Sequence, residues 1–220
     1  MPLLLLTKYG LRELITATLI AAALVALFIW IDLLWAVAVV AVLWVAVAMF
    51  FRDPLRRLPR DLPAGAMISP ADGRVSAVSK VEHHEAAGGP AVVIRIFLSV
   101  LNVHVNRLPC DGEVVALKYT RGSFHDARSP ECPLENENQL VTFRVDGGRT
   151  IGVRQIAGKI ARRIVCDLRP GDRLGQGRRY GMIKFGSSTE LILPQDLVSE
   201  IHVREGDRVR GGVTLLATVA

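Results

Sequence analysis

The stretch YGMIKFGSSTELIL, Tyr180–Leu193, reads as one apolar strand whose middle has been replaced by Gly186, Ser187 and Ser188. Gly and Ser fill strands poorly, and a Gly inside a strand pattern marks a bulge, a bend or a close approach by another group. Either the strand is interrupted to no purpose, or the interruption is used. Working outward, the chain after residue 66 keeps the same character. GRVSAVSKV, AVVIRIFLS, VVALKYT, LVTFRV, TIGVRQIA, GMIKF, ELILP, EIHV and VTLLATV alternate with Gly, Asp and Pro turns. Many short strands without a sustained helical period predict a β-dominated (α+β) domain, a compact sandwich of short antiparallel strands. GKIARRIVCDL fits a short helix or a further strand equally well.

Two echoes run through this region. ADGRVSAV at Ala71 returns as CDGEVVAL at Cys110, and RPGDRLGQG at Arg169 returns as REGDRVRGG at Arg204. They read as interlocked hairpins of an internal repeat, or as convergence on favoured turn residues. His125–Gln139, polar and with two prolines, reads as a loop excursion near a site or an edge.

The N-terminal quarter differs. From Leu14 to Phe51 the only charged residue is Asp32, a run too long for the apolar core of a secretory signal. A membrane takes roughly 20 residues per helix, and LITATLIAAALVALFIW and LLWAVAVVAVLWVAVAMFF divide at Asp32. This predicts a transmembrane helical hairpin over residues 1–51, with Trp30 and Trp35 at the interface and Asp32 at the tip. One long tilted helix with a snorkelling Asp32 is the alternative. Lys8 and Arg12 before the spans, and Arg52, Arg56, Arg57 and Arg60 after them, place both ends in the cytoplasm. Pro54, Pro59 and Pro63 make residues 52–65 a linker, and the soluble domain is expected at 66–220.

The net charge of +6 and pI near 9.6 call for an anionic partner. The arginines are isolated along β-like segments with few interleaved aromatics, so an anionic membrane surface suits them better than nucleic acid. Cys110, Cys132 and Cys166 are odd in number and widely spaced, as in a reducing compartment. No Cys/His arrangement has metal-ligand spacing.

Ser187 needs a base to act as a nucleophile. The histidines are His83, His84, His104, His125 and His202. His104 stands apart, because in FLSVLNVHVNRLP it alternates with valines on a face shared with Asn102 and Asn106. Asp72, in ISPADGRV, reads alone as a turn aspartate before Gly73. Spacing does not show whether Asp72, His104 and Ser187 meet.

SPADGRV, NVHVNR, QIAGKIARRIV and GMIKFGSSTELILP, in that order, resemble the short bacterial and archaeal phosphatidylserine decarboxylase proenzymes. The likeness covers Met67–Ala220, and Val100 departs from the commoner FMSP-x-NVHVNR form. It implies self-cleavage between Gly186 and Ser187 into a β chain (1–186) and an α chain (187–220), and conversion of Ser187 to a pyruvoyl cofactor. It further implies decarboxylation of phosphatidylserine, or a related serine-headgroup lipid, to phosphatidylethanolamine through a Schiff base. His104, oriented by Asp72, would be the base that activates Ser187, and His104 the later proton donor. The expected assembly is a heterodimer of the two chains, open to higher oligomers, at the cytoplasmic side of the inner membrane.

A second class stays open, a membrane-anchored biotinyl/lipoyl-like carrier or adaptor without catalysis. It requires a modifiable Lys at a hairpin tip, and neither Lys159 in AGKIA nor Lys184 in IKFG has the flanks for it.

Overall fold

The computed structural model describes residues 4–125, 135–158, 163–184 and 187–220. Residues 1–55 and 56–220 form two compact units.

The first unit contains β1 (Leu4–Leu6), a 3-10 turn at Lys8–Gly10, α1 (Leu11–Trp30), α2 (Leu34–Phe50) and β2 (Arg52–Pro54). The apolar run is thus two helices, and the single long helix is corrected. Asp32 makes the turn without Gly or Pro by taking φ 54°, a left-handed conformation that a short polar side chain tolerates. Trp44 Nε1 donates to Thr18 Oγ1 at 3.0 Å across the pair. β1 and β2 pair antiparallel where the two arms end. Lys8–Trp30 is long and apolar enough to cross a membrane, whereas Leu34–Phe50 is a shorter apolar helix.

The second unit holds β3 (Ala66–Ile68), β4 (Gly73–His84), β5 (Gly89–Leu98), β6 (Val105–Arg107), β7 (Gly112–Thr120), β8 (Asn138–Arg144) and β9 (Thr150–Ile156). After these come β10 (Arg163–Cys166), β11 (Arg173–Leu174), β12 (Arg179–Lys184), β13 (Ser187–Pro194), β14 (Val198–Ile201), β15 (Arg208–Val209) and β16 (Leu215–Val219). They build an eight-stranded sheet, β11-β7-β8-β9-β13-β5-β4-β15, and two three-stranded sheets, β10-β12-β6 and β14-β16-β3. The undecided IVC stretch is a strand. Residues 159–162, and positions 126–134 of the expected loop excursion, lie outside the described residues.

This order is a palindrome. Reading the large sheet from either edge gives a short strand, a D-G-x-V strand, its hairpin partner and one of the two central strands, and the small sheets match strand for strand. The echoes in the sequence are therefore a structural repeat. Val75 N–H donates to Asp207 O at 2.9 Å and Gly206 N–H to Val75 O at 2.8 Å; Val114 with Asp172, and Gly171 with Val114, repeat both bonds at the same lengths. The glycine of the first D-G pair is obligatory, since a Cβ on Gly73 would lie 2.1 Å from the Phe97 carbonyl oxygen.

The stretch YGMIKFGSSTELIL is also explained. Its first half is β12, in a small sheet, and its second half is β13, at the centre of the large one. The chain changes sheets between Lys184 and Ser187. All eight residues of β13 are buried, bonded to β5 on one side and β9 on the other. Leu191 and Leu193 face the main core with Ile94, Ile96, Val153, Tyr180 and Leu216.

On the other face of β13, the buried Glu190 carboxylate accepts from Arg95 Nε at 3.0 Å and Arg154 Nη1 at 3.2 Å. Arg154 Nη2 lies 2.7 Å from His84 Nε2, and Ala86 N–H donates to His84 Nδ1 at 3.1 Å. Each ring nitrogen faces an N–H donor, so the neutral ring can accept from only one of them and a second ring proton would find no acceptor. Burial, reinforced by the Arg154 charge, lowers the His84 pKa from 6.5 to about 4. The unfolded chain then binds more protons than the folded one between those values. This contribution to stability is present above pH 6.5 and is lost as pH falls through about 4. Thermal unfolding of the full chain in detergent should show stability falling over that window, and His84→Asn should flatten the fall; an unchanged pH profile in the variant would exclude His84 as its source.

Candidate active site

Ser187 opens β13 and is fully buried, paired across to Leu98. Its Oγ has no hydrogen-bond partner among the described residues. A buried hydroxyl left so costs about 1–3 kcal/mol, and such exceptions call for a functional explanation. Thr189 follows at the strand period of two, on the same face. Thr189 Oγ1 accepts from Asn106 Nδ2 at 3.1 Å, and Asn106 Oδ1 accepts from Gln155 Nε2 at 2.9 Å. Gln155 stands directly opposite Thr189 on β9. Its Oε1 is a second buried oxygen with no partner among the described residues. One face of β9 and β13 therefore carries two unsatisfied oxygens inside an otherwise bonded polar chain.

His104, also fully buried, directly precedes β6. Its carbonyl accepts from Ile183 N–H at 3.3 Å, near the end of β12. The imidazole Nδ1 lies 2.9 Å from the Asn102 carbonyl oxygen. A carbonyl only accepts, so Nδ1 carries a proton; in the neutral ring Nε2 is then the basic nitrogen, the tautomer that a general base requires. Asn102 is itself held in a turn, its Oδ1 accepting from Ser99 N–H at 2.9 Å and Ser99 Oγ at 2.8 Å. Val100 leaves that turn intact, with Asn102 N–H bonded to Ser99 O at 2.9 Å.

Asp72 is placed differently from the expectation that it orients His104. Its Oδ1 accepts from Gly211 N–H at 2.8 Å, and its two oxygens face the Arg56 guanidinium, with Nη2 to Oδ2 at 2.6 Å and Nη1 to Oδ1. Asp72 and His104 share neither a hydrogen bond nor an ion pair; the Asn102 carbonyl holds the ring instead. The repeat clarifies part of the role of Asp72. At the equivalent position Asp111 Oδ1 accepts from Gln176 N–H at 2.6 Å, the counterpart of the Gly211 bond. Both aspartates tie the D-G turn to the opposite hairpin, and Asp72 alone carries an arginine.

The carrier expectation fares poorly in this geometry. Lys184 is 5% exposed at the end of β12, opposite Arg163, and is not at a hairpin tip; Lys159 lies outside the described residues. Among the described residues no His, Cys, Asp or Glu cluster could hold a metal. Cys166 has its thiol pushed up to about 11 by burial, so it stays protonated and inert.

The chain that carries this buried serine and histidine has relatives. Residues 45–217 match the family described as phosphatidylserine decarboxylase. The chain belongs to that family. A phosphatidylserine decarboxylase proenzyme of Symbiobacterium thermophilum is 46% identical over 199 residues, 90% of this chain and 89% of the relative. A proenzyme of the same name from Rhodopirellula baltica is 44% identical over 213 residues, 96% of this chain and 86% of the relative. One from Desulfotalea psychrophila is 44% identical over 170 residues, covering 77% and 78%.

Arg56, Asn106 and Gln155 were not singled out from the sequence as site residues. Asn106 and Gln155 each lie inside a motif that carries the family likeness, and that was the available signal. Arg56 offered none, because its partner Asp72 is met only through the fold.

The two aspartates give a paired test. Asp111→Asn keeps an acceptor for Gln176 N–H and should cost about 1 kcal/mol or less. Asp72→Asn also strips the charge from a mostly buried Arg56 and should cost about 3 kcal/mol. Denaturant unfolding of the full chain measures both, and equal losses would show that the Arg56 pair adds nothing.

Proposed function

We propose that this protein is a pyruvoyl-dependent phosphatidylserine decarboxylase made as a proenzyme that cuts itself between Gly186 and Ser187, leaving chains 1–186 and 187–220. The observation that carries the reading is the Ser187 hydroxyl, buried and without a described partner where β13 begins. A group required for chemistry, not stability, explains such a position.

In the reading adopted, His104 Nε2 takes the hydroxyl proton as Ser187 Oγ attacks the Gly186 carbonyl carbon. The Gly186–Ser187 amide bond breaks, an ester forms, and the Ser187 nitrogen becomes an amine. Gly at 186 suits this step, because it leaves the carbonyl unhindered and the backbone deformable. Loss of the Ser187 Cα proton then expels the Gly186 carboxylate, and hydrolysis of the resulting dehydroalanine releases ammonia. The pyruvoyl group left at residue 187 supplies the carbonyl that forms a Schiff base with the lipid amine and accepts the electron pair as CO2 departs. His104 is the proton donor for the product. Asp72 is retained as the third catalytic candidate; to reach the imidazolium its carboxylate must leave Arg56.

A lipid substrate accounts for the rest of the chain. The apolar helix pair tethers the enzyme to the inner membrane, and the arginines that follow it keep the catalytic unit at the anionic cytoplasmic surface. The two cleaved chains remain together as a heterodimer. The serine headgroup, not the acyl or ether tail, is what this chemistry recognises.

Intact mass of the purified protein tests the reading. The wild type should give two chains, the smaller starting at residue 187 and about 17 Da lighter than a Ser N-terminus requires, as replacement of an amine by a carbonyl demands. Ser187→Ala should stay whole, and His104→Ala should slow cleavage by about 10²–10⁴-fold. A single unmodified wild-type chain in folded protein would overturn the proposal.

A further inference from the structure

The repeat supplies an internal control for every residue that has a counterpart. Ile68 and Arg107 are equivalent, since Ile68 N–H donates to Pro109 O and Arg107 N–H to Pro70 O, both at 2.9 Å; Met67 and Asn106 precede them. Val75 and its counterpart Val114 pair with Ile96 and Phe143, which pair in turn with Thr189 and Ile151. Thr189 therefore matches Ile151, and four residues further along each strand Leu193 matches Gln155. The hydrogen-bonded chain through Thr189, Asn106 and Gln155 thus stands where the other half has Ile151, Met67 and Leu193, all three buried in the main core. Since hydrocarbon fills these positions on one copy of the backbone, the fold does not require polar atoms at them on the other. Burying a polar group is costly unless it is hydrogen-bonded.

The chain does not close on itself. Thr189 Oγ1 and both polar atoms of the Asn106 amide are paired within it. Gln155 Nε2 donates to Asn106 Oδ1 at 2.9 Å and to the Val165 carbonyl at 3.4 Å. A backbone carbonyl only accepts, so this contact fixes which end of the Gln155 amide is nitrogen. Glycine at 181 leaves room for it, since a Cβ there would lie 3.1 Å from Gln155 Nε2 and 2.2 Å from Val165 O. The oxygen is left over: Gln155 is fully buried, and its Oε1 has no partner among the described residues. Gln155 lies directly opposite Thr189, which puts it diagonally across from Ser187 on the same face. Such diagonal positions are about 7–8 Å apart, within reach of a long side chain. A buried acceptor left over beside a reactive residue selects a donor, and an ammonium group carries three donors and no acceptor.

We propose that Gln155 Oε1 is the hydrogen-bond acceptor for a primary ammonium group brought to residue 187, the amine of the serine headgroup. The assignment rests on the decarboxylase reading, in which that amine condenses with a carbonyl at residue 187. Gln155 takes no proton and no electron pair. It orients the amine, and the bonds through Asn106 and Thr189 hold its amide in register with the strand that bears residue 187.

The test uses the full chain in a non-ionic detergent and reads the mass of the smaller chain, with no turnover required. Glycerophosphoethanolamine, an amine headgroup with no carboxylate to lose, is trapped at residue 187 by cyanoborohydride reduction of the imine. Hydroxylamine, which needs no held ammonium, reports the carbonyl itself as an oxime. Headgroup capture by the wild type should saturate. Gln155→Met, close to glutamine in shape, should raise the half-saturating concentration about ten-fold or more, as loss of a charge-assisted bond requires, while the oxime forms at the wild-type rate. Gln155→Asn, whose oxygen is drawn back by one carbon, should show the same split and serves where Gln155→Met fails to fold. Equal half-saturation in wild type and variants overturns the proposal and leaves Oε1 to a buried water. Equal slowing of capture and of oxime formation overturns it too, by showing a structural role. A wild type that forms no oxime refutes the decarboxylase reading, and the assignment falls with it, so the two failures are told apart.

Discussion

The rest of the second unit depends on the double hydrogen-bond ladder of β13. This strand lies between β5 and β9 at the centre of the large sheet, and none of its residues reaches solvent. Its first residue is Ser187. A side chain placed there inherits the rigidity of the whole sheet. The buried polar chain through Thr189, Asn106 and Gln155 extends the same logic by fixing the strand faces around the serine.

Much of this was legible in the sequence. Short β-branched runs between turn residues specify antiparallel sheets, and the interruption at Gly186–Ser188 marked the sheet change because poor strand formers have a cost that needs a reason. The break at Asp32 located the helix turn, although the absence of Gly or Pro there argued the other way; the left-handed tolerance of Asp resolves the conflict. What stayed hidden was pairing across long distances. Asp72 looked like a turn residue and, by resemblance, a catalytic one. Which atoms it meets is decided by Arg56 and Gly211, one near the start of the unit and one near its end. Periodicity carries no information on such contacts. The same limit left His104 with an aspartate as its expected orienting group, where the structure supplies the Asn102 carbonyl.

The internal duplication changes how the polar residues are weighed. In a fold without repeats, a buried arginine and a turn aspartate are each judged against general expectation. Here each is judged against its counterpart in the same molecule. Asp111 shows how much of Asp72 is architecture, and Ile68 shows that the backbone at Arg107 does not itself require a charge. Differences between halves that share a backbone isolate what the backbone does not need.

The duplicated halves are also interleaved, and this bears on timing. β16, at Leu215–Val219, pairs with β3 at Ala66–Ile68, and β15 pairs with the start of β4. The second half of the chain closes sheets begun by the first, so the ladder on which Ser187 sits is framed only when the last residues have been made. Pairings of such long sequence separation form late and slowly. On a ribosome synthesising from the N-terminus, the two apolar helices are made well before the sheets can close. The sheets around Ser187 thus close only after residues 208–219 have joined strands near the start of the unit.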